Sequence, residues 1–178
     1  MIVLVMGVSG CGKTTAGRAI AEELGLPFYD ADDFHPAANR EKMGRNEPLG
    51  DEDRWPWLRL LAERMREWDA RGGAVLACSA LKQSYRDVLA TGADRVAVVH
   101  LIAPKSVVAA RLESRKGTHV IVRDYDRFLE GQFRDLEEPA DAIRVPCDAP
   151  LATIRATVRR ALAEGKTTGD APNERNNA

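Results

Sequence analysis

Near the start of the chain, glycines, a lysine and a threonine stand at a spacing that binds phosphate. The run Gly7-Val8-Ser9-Gly10-Cys11-Gly12-Lys13-Thr14 fits the pattern Gly-x-x-x-x-Gly-Lys-Thr. Its glycines would let backbone N–H groups curl around phosphate oxygens, and a following helix would add the positive end of its dipole. Lys13 would neutralise the β- and γ-phosphates, and the Thr14 hydroxyl could bind Mg²⁺. The predicted nucleotide-binding residues of this loop are Gly7, Ser9, Gly10, Cys11, Gly12, Lys13, Thr14 and Thr15.

Three acidic residues follow a second short apolar run, at Asp30, Asp32 and Asp33. Phosphoryl transfer needs a carboxylate that accepts the proton of the acceptor hydroxyl, and carboxylates that hold the metal and its waters. Asp30 and Asp32 alternate along an extended chain, so we expect them to share a face and divide these tasks. We assign Asp30 to the metal and Asp32 to catalysis. The alternative is a solvated acidic turn that caps the next helix, which fits Asp33 best.

Further polar residues could bind an acidic acceptor. Lys82 and Arg86 follow the third apolar run, and at a spacing of four they would share one face of a helix. With Arg54 they could form an anion-binding corner, or they are only a solvated basic face. His35, which precedes Pro36, either donates to a substrate hydroxyl or only fixes the turn.

Arg111 and Arg115 also stand four residues apart and begin a long charged segment. The planar guanidinium can stack on a nucleotide base and clamp a transferring phosphate. We predict that both arginines bind the nucleotide and that Arg115 also takes part in catalysis. A solvated basic face is again the alternative.

Five apolar runs predict the strands that must position these groups, at residues 2–6, 27–30, 74–79, 96–101 and 143–146. Helical patterns alternate with them, which predicts a three-layer α/β fold with a five-stranded parallel sheet and helices on both faces. Two long polar excursions predict a substrate-binding insert at about 32–53 and a lid at about 116–131. We expect a single domain over residues 1–165 and a disordered tail over 166–178.

The bulk properties of the 178-residue chain exclude several classes of protein. The net charge of −1 argues against nucleic acid or an anionic membrane as a main partner. No segment approaches the length of a membrane span, and we expect no cleavable signal before the first strand. Three cysteines without metal spacing indicate a reducing cytoplasm. Whether the thiol of Cys11 is reactive stays open.

Together, the residues from 2 to about 162 resemble the small P-loop gluconate kinases, relatives of shikimate and nucleoside monophosphate kinases. The matching stretches are residues 7–14, 30–36, 39 with 42–43, 48–58, 78–82 with 85–87, 111–112 with 115–117, and 132–133 with 136–139. The most specific are Asp53-Arg54-Trp55-Pro56-Trp57-Leu58 and Cys78-Ser79-Ala80-Leu81-Lys82.

This resemblance implies a homodimeric P-loop kinase that transfers the γ-phosphate of ATP, with Mg²⁺, to the 6-hydroxyl of D-gluconate. Asp32 would deprotonate the hydroxyl, and Arg111 and Arg115 would serve the nucleotide. The residues implied to bind gluconate are Asp32, His35, Arg54, Lys82 and Arg86. The chain departs from the family pattern in one place, because the stretch from Thr118 to Gly131, which includes His119, is longer than usual.

Three alternatives remain from the sequence. A shikimate kinase or a kinase of another sugar acid would share the loop and the paired aspartates, although a shikimate kinase should have a glycine-rich turn where this chain has Ser79-Ala80-Leu81-Lys82. A nucleoside monophosphate kinase should carry more arginines in the insert. A nucleotide-dependent switch such as a regulatory GTPase should carry an Asn-Lys-x-Asp run, which the sequence lacks.

Overall fold

The computed structural model describes residues 1–45, 47–114 and 125–167. Five parallel strands form one sheet in the order β2-β3-β1-β4-β5. They are β1 (Ile2–Met6), β2 (Phe28–Asp30), β3 (Ala74–Ala77), β4 (Val96–Ile102) and β5 (Ile143–Pro146). All five residues of β1 are buried because the strand lies at the centre of the sheet with both faces covered. The predicted α/β fold is confirmed.

Helices cover both faces of this sheet. In chain order they are α1 (Lys13–Leu24), α2 (Ala37–Gly44), α3 (Asp51–Ala70), α4 (Gln83–Ala90), α5 (Lys105–Glu113), α6 (Tyr125–Asp135) and α7 (Leu151–Ala163). Val3 and Val5 of β1 pack into one core with α1 and α7, whereas Leu4 and Met6 pack into a second core with α3 and α4. The alternation of side chains along β1 therefore produces two cores, one on each side of the sheet.

The two long excursions have structure of their own. The insert contains a 3₁₀ turn (Ala31–Phe34), α2 and the start of α3. Residues 125–131 of the predicted lid belong to α6, and the remainder of the lid, with Arg115 and His119, lies outside the described residues. Residues 168–178 of the predicted tail also lie outside them. None of the helices in the described part of the chain combines the length and apolar character that crossing a bilayer requires.

Candidate active site

The phosphate loop joins the carboxyl end of β1 to the start of α1. Gly7, Gly10 and Gly12 have φ values of 145°, 80° and 99°, a region that side chains disfavour. A Cβ added at Gly10 would also come within 3.1 Å of Val108 and Leu112 on α5. The loop therefore needs glycine at this position both for its backbone conformation and for its close approach to α5.

Lys13 begins α1 and its side chain folds back over the loop. Its Nζ donates to the carbonyl oxygen of Val8 at 3.2 Å. The ammonium group thus lies at the mouth of the loop, where charge on a bound phosphate would meet it.

Thr14 and Asp30 bring two oxygen groups together beside the loop. The Thr14 hydroxyl donates to Asp30 Oδ2 at 2.8 Å, and Asp30 Oδ1 accepts from the backbone N–H of Asp32 at 3.2 Å. Asp30 is therefore the cap of the 3₁₀ turn. The alternative, that Asp33 caps the next helix, does not hold, because Asp33 lies within the 3₁₀ turn and Pro36 is the residue before α2. A hydroxyl and a carboxylate fit Mg²⁺, which prefers hard oxygen ligands and keeps several of its waters.

Asp32 lies in the 3₁₀ turn, not on an extended strand as the alternating pattern had predicted, because β2 ends at Asp30. The turn nevertheless keeps the two carboxylates close. The pKa of Asp32 is raised by the surrounding protein, which displaces water, and then by the charge of Asp30, while Lys13 and Arg54 lower it. Since the side chain is 75% exposed, it remains open to an acceptor.

His35 is held from two sides under the same turn. Its ring stacks on Trp57, with centroids 4.1 Å apart, and its Nδ1 lies 3.3 Å from Asn39 Nδ2. Asn39 Nδ2 also donates to the carbonyl oxygen of Asp53 at 2.9 Å, which fixes the orientation of the amide. Nδ1 of His35 therefore accepts, and Nε2 carries the hydrogen and faces Asp32 Oδ1 at 3.7 Å.

The imidazole of His35 is neutral near pH 7. Burial, followed by the positive charges of Arg54 and Arg40, lowers the pKa of His35 to about 4. Consequently the Nε2 hydrogen of His35 faces Asp32 across 3.7 Å, beyond direct hydrogen-bond distance, and adds no positive charge to the site.

Arg54 and Lys82 both lie against the ring of Tyr85. Their cationic groups are 5.9 and 5.3 Å from the centre of the Tyr85 ring. Asp51 accepts hydrogen bonds from Lys82 and Tyr85: Lys82 Nζ donates to its two oxygens at 2.8 and 3.1 Å, and the Tyr85 hydroxyl donates at 2.5 Å. The bonds from Lys82 and then Tyr85 lower the pKa of Asp51, and the bond to Asp51 raises the pKa of Lys82.

Arg86 does not join this pair. It is 5% exposed, and its guanidinium donates to the carbonyl oxygens of Ala80, Leu81 and Glu137, each at 2.9 Å. The prediction that Lys82 and Arg86 share one face of a helix is wrong. Lys82 is the extended residue before α4, and its side chain binds Asp51. Arg86 instead holds the turn that presents Lys82, which includes Ala80 at a left-handed φ of 42°.

Arg111 connects the phosphate loop to the end of β5. Its guanidinium donates to the carbonyl oxygens of Cys11 and Cys147, each at 3.2 Å. The Cys11 side chain is fully buried, and burial raises the pKa of its thiol. A raised pKa opposes thiolate formation, so the structure disfavours a reactive Cys11.

The sequence reasoning assigned no role to three residues of the site: Asn39, Asp51 and Gln132. Asn39 could have been found, since it stands four positions after His35 and α2 begins between them. Gln132 belongs to a stretch that matches the family, at residues 132–133, but its contact with Ser9 could not be predicted, because the two residues are 123 positions apart.

The known proteins that resemble this chain are kinases. A family model described as shikimate kinase matches residues 9–141. A gluconokinase of Gluconobacter oxydans is 44% identical over 91% of this chain and 92% of the relative. A probable gluconokinase of Mus musculus is 40% identical over 90% of this chain and 97% of the relative.

A solved structure gives the same result. The crystal structure of a gluconokinase from Sinorhizobium meliloti 1021 superposes with a TM-score of 0.80, at 40% identity over 92% of each chain. The similarity therefore spans nearly the whole chain and not the phosphate loop alone.

Proposed function

Because this chain belongs to the gluconokinase family, we propose that it transfers the γ-phosphoryl group of ATP to the 6-hydroxyl of D-gluconate. The products are 6-phosphogluconate and ADP. The protein is a phosphotransferase with an alcohol acceptor, a class on which the shikimate kinase model and the gluconokinase relatives agree. Identity of 40–44% over at least nine-tenths of the chain favours gluconate over shikimate as the acceptor.

The nucleotide binds at the phosphate loop. Backbone N–H groups of the loop and the N-terminus of α1 hold the phosphates, and Lys13 neutralises their charge. Arg111 closes the nucleotide site by joining the loop to the β5 end. Arg115 is a further proposed nucleotide and catalytic residue, on the resemblance alone.

Thr14 and Asp30 would hold Mg²⁺, either directly or through its waters. The ion, when bound, offsets the negative charge of the phosphates during transfer. Thr14 donates to Asp30, so the two oxygens already lie side by side next to the loop.

Asp32 accepts the proton of the acceptor hydroxyl. Its carboxylate is exposed, and the charges of Lys13, at the phosphate loop, and of Arg54 both lower its pKa. The neutral His35 directs its Nε2 hydrogen toward Asp32 and helps to orient the carboxylate or the incoming hydroxyl.

Lys82 and Arg54 bind the carboxylate of gluconate. The main structural support for an acidic acceptor is that both cations lie within 6 Å of the centre of the Tyr85 ring. A local site is needed because the chain has a net charge of −1 and therefore no general attraction for anions. Asp51 keeps Lys82 in place before the substrate arrives. Arg86 supports binding indirectly, through the turn before α4.

We further propose a cytoplasmic homodimer. The family resemblance supports the homodimer. The cytoplasmic location is supported by three buried cysteines that form no disulfide among the described residues. Light scattering of the purified chain would report the mass of the assembly.

The function is tested by ADP release from Mg·ATP with a panel of acceptors: D-gluconate, other sugar acids, shikimate, nucleoside monophosphates and no acceptor. We expect strong release with gluconate alone. Release with another acid would replace the acceptor and keep the kinase mechanism. Equal release without an acceptor would contradict the kinase assignment.

A further inference from the structure

Gln132 on α6 contacts Ser9 of the phosphate loop with both ends of its amide group. Its Oε1 accepts from the backbone N–H of Ser9 at 2.6 Å, and its Nε2 donates to the Ser9 hydroxyl oxygen at 2.9 Å. A backbone N–H can only donate, so it must face the amide oxygen. The amide nitrogen is thereby fixed beside the hydroxyl, and the reverse orientation is excluded.

The position of Gln132 is set by the core and not by the loop itself. Leu129, one turn earlier on α6, is fully buried, and Phe133 packs partly buried against the same core. Ser9 lies at the tip of a turn that is closed by the Cys11 N–H on the Val8 carbonyl oxygen, at 3.3 Å. A rigid helix therefore meets the tip of the phosphate loop.

The donated hydrogen bond has a directional consequence for Ser9. Because the hydroxyl oxygen accepts from Gln132, its own hydrogen is available for another acceptor. A phosphate oxygen only accepts hydrogen bonds, and the loop around Ser9 has the glycine-rich conformation that binds phosphates.

We propose that Gln132 is a positioning residue that orients the Ser9 hydroxyl as a hydrogen-bond donor to the terminal phosphate of the bound nucleotide. The proposal rests on the proposed function in one respect: the protein must bind ATP. It does not depend on which acceptor receives the phosphate. It predicts that Gln132 acts on ATP and not on ADP, which lacks that phosphate.

The test compares Ser9→Ala, Gln132→Met and the double variant, with Arg134→Met as the control on α6. Arg134 is 79% exposed. Calorimetry would measure the affinity of each protein for Mg·ADP and for a non-hydrolysable Mg·ATP analogue. Binding of the analogue does not involve the acceptor. A wrong assignment of gluconate would therefore leave these affinities unchanged, whereas a wrong proposal for Gln132 would change their pattern.

Each single variant should weaken the analogue about tenfold, as expected for one bond to a charged group, and leave ADP within about twofold. The double variant should be about as weak as Ser9→Ala alone, because both changes remove the same contact. Ser9→Thr, which keeps the hydroxyl, should restore affinity for the analogue. The proposal would be overturned if the double variant lost affinity for the analogue by the product of the two single losses. It would also be overturned if the variants lost affinity for ADP and for the analogue equally. Either result would leave Gln132 as a packing contact.

Discussion

Asp51 at the start of α3 and Lys82 before α4 form an ion pair, with 2.8 Å between Lys82 Nζ and the nearer carboxylate oxygen. Asp51 is 49% exposed, so the pair contributes little to stability. Its significance is positional: it holds Lys82 against the Tyr85 ring, which Arg54 also contacts, and we propose that the carboxylate of the acceptor binds there.

Replacing Lys82 with methionine should therefore impair binding of gluconate selectively. We expect the KM for gluconate to rise about tenfold or more, roughly 1.4 kcal/mol, with the KM for ATP within about twofold. Lys105→Met is the matched control, because Lys105 forms an exposed pair with Glu130. A larger change in the KM for ATP would move Lys82 to the nucleotide site.

Arg86→Met should give the opposite pattern to Lys82→Met. Loss of the guanidinium leaves the carbonyl oxygens of Ala80, Leu81 and Glu137 without their donor. Urea unfolding should show a loss of about 2–4 kcal/mol. An unchanged free energy of unfolding together with a selective rise in the KM for gluconate would instead show direct contact with substrate.

Lys13→Ala should lower kcat about 100-fold or more, since the charge that meets the phosphates is lost. The melting temperature should change little, because within residues 1–45, 47–114 and 125–167 the ammonium makes a single hydrogen bond, to Val8. Steady-state kinetics and a thermal melt would measure both. Unchanged turnover would contradict the nucleotide-site assignment.

Asp32→Asn should abolish transfer while ATP still binds. General-base catalysis contributes about 10²- to 10⁴-fold, and an amide cannot accept the proton. Asp33→Asn is the control, because Asp33 is the adjacent exposed carboxylate of the same turn. Rapid-quench kinetics would show a loss for Asp32→Asn only, and equal losses for both variants would indicate a general effect of charge.

His35 should make the folded protein sensitive to acid. Its pKa is lowered to about 4 in the folded state, whereas the unfolded value is near 6.5. The unfolded state therefore binds the proton first, so stability is complete above pH 6.5 and falls as the pH drops toward 4. The loss is of the order of 3 kcal/mol.

His35→Phe keeps a ring to stack on Trp57 and removes this titration. Urea unfolding between pH 7 and 4 should show a smaller acid-induced loss for the variant than for the wild type. Parallel curves for the two proteins would show that His35 does not titrate as described.

Local sequence patterns were sufficient to predict the strands and the phosphate loop. The run at Ile2–Met6 coincides with β1, since a parallel strand buried on both faces is apolar without interruption. The run at Ile143–Pro146 coincides with β5, an edge strand in which buried and exposed residues alternate. The glycines of the phosphate loop also predict its conformation, because glycine readily adopts the positive φ values found there.

Contacts between distant segments were not predictable from the sequence. From the sequence alone, Arg86 was predicted to be a surface cation. The carbonyl oxygen of Glu137 that it binds lies 51 positions away, so no local pattern indicates this contact. Gln132 gives no periodic signal toward Ser9. In the 3₁₀ turn at Ala31–Phe34, the Ala31 carbonyl oxygen accepts a hydrogen bond from the Trp57 indole of α3, 26 positions away.

Phosphorus NMR of the product formed from Mg·ATP and D-gluconate would test the central claim most directly. We predict a phosphate monoester whose proton-coupled signal is a triplet, because a phosphate on the terminal CH₂ of the 6-position couples to two protons. A doublet would place the phosphate on a secondary hydroxyl and contradict the proposed transfer to the 6-hydroxyl. The absence of any new ester would contradict the kinase activity on gluconate itself.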